Sequence, residues 1–185
     1  MNIEVAPKRL QLLHELVPTA SVVALLVNPT NPTIAETQSR ELQSAAHSLG
    51  LELHVLNASS EGDFDSVFAK LTELRAGGLV ISGGSFFSSK SEQLAALTVR
   101  HAVPAVFQYR EFVAAGGLLS YGSNVTDAYH LAGIYTGRIL RGDKPAELPF
   151  QQASKVELYI NLKTAKALGL NVPNTLIGRA DEVIE

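Results

Sequence analysis

The 185 residues contain no cysteine. This excludes disulfides, thiolate nucleophiles and cysteine-ligated zinc, but it does not assign a compartment, since oxidising and reducing environments both accept a cysteine-free chain. No apolar run approaches the roughly 20 residues needed to span a bilayer. The opening residues lack the basic-then-apolar layout of a secretory signal. Positive charge is not in excess: 15 Lys and Arg stand against 18 Asp and Glu, a net charge of −3. Nothing electrostatic therefore points to nucleic acid or an anionic membrane as a partner.

The usual instruments of catalysis are also missing. His14, His47, His54, His101 and His130 fall on expected helices or a strand, and none is spaced as in a zinc motif. There is no glycine–serine nucleophile elbow. Ser82-Gly83-Gly84-Ser85 lacks the Gly-Lys-Ser/Thr of a phosphate loop and the glycine spacing of a dinucleotide site, so its glycines read as a tight strand-to-helix turn. Asp63, Asp65, Asp127, Asp143 and Asp181 are scattered, with no pair that spacing alone brings together.

What is present is a regular alternation of strand and helix. A helix is expected over Pro7 to Leu16, before any strand. Val22 to Val27 is a continuous apolar run, as in a central parallel strand covered on both faces. It stops at Asn28-Pro29-Thr30-Asn31-Pro32, where two prolines oppose both helix and ladder. Thr33-Ile34-Ala35-Glu36 fits a capping box opening a helix that closes at Gly50. Strands at 51–56, 78–81, 104–107 and 117–121 then alternate with helices at 62–75, from the Ser89–Glu92 capping box to about His101, at 110–115, and from a Thr126 cap through Arg141. Gly142 to Gln152, with Pro145 and Pro149, reads as a linker, followed by a strand at 155–160 and a helix at 162–168 closed by Gly169. Repeated strand–helix units with right-handed crossovers predict an α/β fold: a three-layer α-β-α parallel sheet with a C-terminal strand–helix crossover segment. The division expected is 1–142 for the α/β lobe and 143–185 for the linker and crossover. A helix before the first strand and a strand–helix pair at the end suggest one lobe of a larger two-lobe protein.

Ligands of open α/β sheets bind outside the carboxyl ends of the strands, where helix N-termini offer unpaired N–H groups. The residues expected there include Asn28, Thr30, Asn31, Ser85, Phe86, Gln108, Tyr109, Tyr121, Ser123 and Asn124, with Asp127 just beyond. Nearly all are uncharged hydrogen-bonding side chains, with flat faces from Phe86, Tyr109 and Tyr121. Such a rim suits reversible binding of a small polar ligand, although Asn and Ser after strands also serve simply as caps and turns.

Several segments together resemble a known family. They are Pro7-Lys8-Arg9-Leu10 through Leu16-Val17-Pro18, Asn28-Pro29-Thr30-Asn31-Pro32, Arg110-Glu111-Phe112-Val113, Ala115-Gly116-Gly117-Leu118, Ser120-Tyr121-Gly122, the run from Asn161 to Leu170, and Arg179-Ala180-Asp181-Glu182-Val183-Ile184. The chain resembles the substrate-binding proteins of bacterial ABC transporters, in the family that includes tryptophan- and tyrosine-type binding proteins. The resemblance implies a type I periplasmic-binding-protein fold, in which two α/β lobes close on a ligand, with this chain as the C-terminal lobe. It further implies a small polar solute as ligand, an amino acid among the candidates, a permease as partner, no cofactor or metal, no catalysis, and a periplasmic location for the full-length family. Asn28 and Asn31 would lie on the first cleft-facing loop and Tyr121 to Asn124 on the last, with Asp127 opening the next helix. Where the family often carries an acidic residue and a proline after the third strand, this chain has Gly83-Gly84, which removes an anchor for a ligand ammonium group. With one lobe, ligand binding is expected to be weak, and an apolar edge at Lys155 to Ile160 is expected to favour a homodimer exchanging residues 150–185. A cytoplasmic ligand-sensing regulatory domain of the same fold is the alternative reading, and an enzyme with its catalytic groups elsewhere is a third.

Overall fold

The computed structural model describes residues 5–149 and 156–185. The expectations for residues 1–4, for the last part of the linker at 150–152 and for a strand start at Lys155 lie outside the described residues.

The elements are α1 (Ala6–Leu16), β1 (Val22–Val27), α2 (Pro32–Leu49), β2 (Glu52–Asn57), α3 (Phe64–Glu73), β3 (Gly78–Ile81), α4 (Ser85–Ser89), α5 (Ser91–Arg100), β4 (Ala105–Phe107), α6 (Arg110–Ala114), β5 (Leu119–Ser123), α7 (Val125–Leu140), β6 (Val156–Asn161), α8 (Leu162–Ala167), α9 (Asn174–Ile177) and β7 (Glu182–Ile184). One seven-stranded sheet runs in the order β2-β1-β3-β4-β5-β6-β7. The pairs among β1 to β5 are parallel, as is β6 with β7, while β5 meets β6 antiparallel.

Two apolar layers cover the sheet. Val23, Leu25 and Val27 of β1 pack with α1, α2, α8 and α9, and Ala24 and Leu26 pack with α3, α4, α5 and α6. This two-sided cover is why β1 carries no polar residue. Helix α3 buries Phe64, Val67, Phe68 and Leu71 at helical spacing, each contributing about 1.5–3 kcal/mol relative to exposure.

The three-layer α/β/α architecture is thus as expected, with one correction to the parallel sheet: it is mixed. The C-terminal segment adds the last two strands. Because β6 lies between β5 and β7, the open apolar edge expected at 155–160 is occupied on both sides. Pairing with β6 also carries β5 on to Ser123, through Gly122 opposite Glu157 and Ser123 opposite Val156.

Local signals shift at the helix starts. The cap of α2 is Asn31, whose Oδ1 accepts from the Ile34 N–H at 3.3 Å, rather than Thr33. Pro32 then takes the first helical turn, where its missing N–H costs nothing. Helix α7 is capped by Asn124, whose Oδ1 accepts from the Asp127 N–H at 3.0 Å, rather than by Thr126. The expected capping box at Ser89–Glu92 is instead a break between α4 and α5, with Ser89 Oγ donating to the Phe86 carbonyl at 2.8 Å.

Helix α7 differs from the rest: none of its residues is buried. Tyr129, Ile134, Ile139 and Leu140 stand exposed along it among the described residues.

Candidate functional site

Strand order reverses between β1, which leads to β2 on one side, and β3, which lies on the other. The crevice at such a switch point, outside the carboxyl ends of the strands, is where open α/β sheets bind ligands. A depression of about 300 Å³ lies there, walled by Asn28, Thr30, Asn31 and Ile34 from the β1–α2 side and by Gly83 to Phe87 from the β3–α4 side. Asn28 Oδ1 accepts from both the N–H (2.9 Å) and the hydroxyl (2.8 Å) of Thr30. With Asn28 and Asn31 oxygens both engaged in local turns, their amide N–H groups remain available as donors.

The rim continues along the strand ends. A second depression, about 370 Å³, is lined by Gly84, Ser85, Tyr109, Glu111, Val125 and Tyr129 among others. It shares Tyr109, Glu111 and Val125 with a smaller cavity of about 70 Å³, which reaches Gln108, Ser123, Asn124, Glu157 and Tyr159. A larger depression, about 610 Å³, lies off the rim, an open groove beside α5 and α6 lined by Ser89, Lys90, Glu92 and Ala114 among others. Its size reflects openness to solvent, and it lies away from the strand ends where open α/β sheets bind ligands.

Of the sequence-predicted residues, Asn28, Thr30, Asn31, Ser85 and Phe86 line the switch-point depression, and Ser85 and Tyr109 the middle one. Gln108, Tyr109, Ser123 and Asn124 line the small cavity. Tyr121 and Asp127 line none of the three: the Tyr121 ring packs against the core layer of α1 and α2. Gln108 is only 3% exposed. Its carboxamide fills the space a side chain at Gly83 would need, with Oε1 2.6 Å from where that Cβ would stand.

Sequence reasoning missed three residues that shape this rim. Arg9, fully buried on α1, donates from Nε to the Tyr121 carbonyl at 2.8 Å. Burial pulls its guanidinium down to about 10, partly offset by Tyr109 and Tyr121, so it remains charged at neutral pH. The signal was its position three and four residues before Leu12 and Leu13, on the apolar face of α1. Glu157 and Tyr159 share one face of β6, and the Glu157 carboxylate accepts from Asn124 Nδ2 (2.7 Å) and from the Tyr159 hydroxyl. Burial, and then that hydrogen bond, push the Tyr159 phenol well above its ordinary range, so it stays a donor. Beside it, Arg110 forks onto Glu182 at 2.6 and 2.8 Å and lies 5.7 Å over the Tyr159 ring. That hydrogen bond holds the Glu182 carboxyl below its usual value. Among the described residues no group of three or more His, Cys, Asp or Glu is placed to hold a metal ion.

An open α/β sheet with polar depressions along its strand ends is the arrangement of a small-molecule binding fold. A family model described as "ABC transporter substrate binding protein" matches residues 1–184, and the chain belongs to that family, whose members are non-catalytic and characteristically periplasmic. Solved structures agree on the fold. An ABC domain from Streptococcus pneumonia in complex with L-Trp superposes with a TM-score of 0.83 at 22% identity, covering 97% of this chain and 60% of that one. A conserved domain protein from Vibrio cholerae gives 0.82 at 21%, covering 96% and 60%. The ligand-free, open structure of a substrate-binding protein with adhesive properties from Clostridium difficile gives 0.69 at 18%, covering 96% and 59%. The chain therefore spans about 60% of the length of these solved relatives. A search of curated proteins finds no match.

Proposed function

We propose that the chain is one lobe of the substrate-binding component of a bacterial ABC importer, holding a small polar solute on its strand-end rim without catalysis. The observation that carries this reading is the switch-point depression, whose lining is uncharged and supplies the hydrogen-bonding side chains of Asn28, Thr30, Asn31 and Ser85 beside the apolar Ile34 and Phe86. A rim of that kind binds and releases; it does not activate a nucleophile or move a proton. The flat faces of Phe86, Tyr109 and Tyr129 favour a solute with a planar apolar part, and the L-Trp complex of the Streptococcus relative is consistent with an amino acid.

The exposed apolar residues of α7, Tyr129, Ile134, Ile139 and Leu140, are consistent with a second lobe beside the cleft. A solute bridging both walls gains contacts only when they close, so it shifts the population toward the closed form that a permease would recognise.

The site itself is tested by titrating ¹⁵N-labelled chain with L-tryptophan and following backbone amide shifts. Shifts confined to residues 28–34, 83–87, 108–111 and 122–126 support the rim. Shifts confined to the groove beside α5 and α6 would sink it.

A further inference from the structure

Strand β5 outruns its neighbour on one side. Its register with β4 sets Val106 opposite Leu119 and Phe107 opposite Ser120, and β4 ends at Phe107. On the other side β6 accompanies it as far as Ser123. Alternate residues of a strand send their backbone groups to opposite neighbours. The Leu118 carbonyl accepts from the Asn161 N–H at 2.9 Å, on the β6 side, so the groups of Ser120 and Gly122 face β6 and those of Leu119 and Tyr121 face β4. The Tyr121 carbonyl therefore opens where β4 no longer runs as a strand, and a backbone acceptor withdrawn from water needs a donor. Arg9 supplies one: its Nε lies 2.8 Å from that oxygen. We propose that Arg9 is a positioning residue of the binding site, holding the last rim loop, Tyr121 to Asn124, in the geometry that receives the solute. This rests on the reading of the strand-end rim as the ligand site.

Three features support the assignment. First, Arg9 is fully buried, so what it does for a solute it does through the backbone it holds. It also stands on a fixed platform, since α1 buries Ala6, Leu10, Leu12, Leu13 and Leu16 around it. Second, what lies beyond Tyr121 is the rim itself. Gly122, Ser123, Asn124 and Val125 line the small cavity of about 70 Å³ together with Gln108 and Tyr109. The passage is narrow, because a Cβ on Gly122 would stand 2.1 Å from the Gln108 carbonyl oxygen. Asn124 then caps α7 by accepting from the Asp127 N–H at 3.0 Å, so the direction set at Tyr121 passes to the start of that helix. Third, the side chain suits the task. A planar guanidinium aims its Nε–H rigidly, and its charge makes the bond to a carbonyl stronger than a neutral one. That charge persists at neutral pH, although burial pulls the guanidinium down to about 10.

The test titrates ¹⁵N-labelled chain with L-tryptophan and compares two variants that both remove the charge. Arg9→Gln keeps an N–H donor as many bonds from the backbone as Nε, whereas Arg9→Met keeps the stem without a donor. In the unmodified chain the Arg9 Nε–H is expected to exchange slowly with water and to shift with L-tryptophan alongside Gly122, Ser123 and Asn124. Arg9→Met is expected to lose the shifts at 122–126 and keep those at 28–34 and 83–87. Its dissociation constant should rise about fivefold, as loss of roughly one hydrogen bond implies. Arg9→Gln is expected to restore both. Two variants that bind alike, both unchanged or both weakened, overturn the proposal, even if urea shows each to be less stable than the parent. An Nε–H that stays still while the rim amides shift overturns it with the rim intact, and that measurement decides should Arg9→Met not fold. Rim amides silent at tens of millimolar L-tryptophan overturn the rim and this role with it; slow exchange of the Nε–H would then mark the Tyr121 bond as purely structural.

Discussion

At the scale of single residues, the rim is shaped by close backbone approaches. A Cβ on Gly122 would stand 2.1 Å from the Gln108 carbonyl oxygen, so this glycine is required where β5 passes β4. At Gly83 the obstacle is the far end of the flexible Gln108 side chain, at 2.6 Å. Gly122→Ala is therefore expected to destabilise by about 3 kcal/mol, the upper range of overpacking, while Gly83→Ala costs less because a carboxamide can swing away. Urea denaturation of the two variants checks the order; equal losses would contradict the packing argument. Charge acts at this scale too. Asp63 accepts from the Ser59 and Ser60 backbone N–H groups at 2.8 and 2.9 Å ahead of α3, and these bonds hold its carboxyl below the ordinary value. A depressed folded pKa contributes stability that is present above the unfolded value, near 4, and is lost as pH falls through the folded one. Asp63→Asn should accordingly lose less stability than the parent chain between pH 6 and pH 3, measured by urea midpoints at each pH.

At the scale of elements, α7 and β6 mark what the sequence could and could not disclose. Strand and helix positions were legible because apolar runs, prolines and closing glycines act locally; Gly50 and Gly169 both end helices with φ near 70°. The strand-end residues from Asn28 to Asn124 were legible for the same reason, since a parallel strand's end follows directly from its own sequence. The direction of β6 was not. It follows a helix and a long connection from β5, and no local pattern says which way the chain re-enters the sheet, so Glu157 stayed hidden among tail residues. The Asn31 cap was missed because Thr33 satisfies the same preference, and only the fit of Pro32 to the first turn decides between them. For α7 the composition reads as an ordinary packed helix, yet among the described residues none of its side chains is fully buried. A helix without tertiary cover draws little stability beyond its own marginal propensity. Its amides are expected to exchange far faster than those of α2, whose Gln38, Leu42 and Ala46 are buried. Leu140→Glu, at an 82% exposed site, should change stability by less than about 0.5 kcal/mol, whereas Leu10→Ala in the core should cost about 2–5 kcal/mol. Slow exchange along α7 would show that this helix is covered in solution.

At the scale of the molecule, the sheet presents its polar depressions along its strand ends, and the proposed one-lobe reading leaves them a single wall. Affinity in a closing binding protein comes from contacts the solute makes with both walls, less the cost of ordering it. With one wall, a solute on this rim stays partly hydrated, and the middle depression leaves Tyr129, 75% exposed, as an open face. Halving the contacts of a micromolar site, worth about 8 kcal/mol, leaves on the order of 4 kcal/mol, which is a millimolar dissociation constant. Calorimetry of this chain with L-tryptophan is therefore expected to show little or no heat at micromolar concentrations, with saturation reached only in the millimolar range. Micromolar affinity from the chain alone would mean that the rim already encloses its ligand, and that a second wall is not what supplies its affinity.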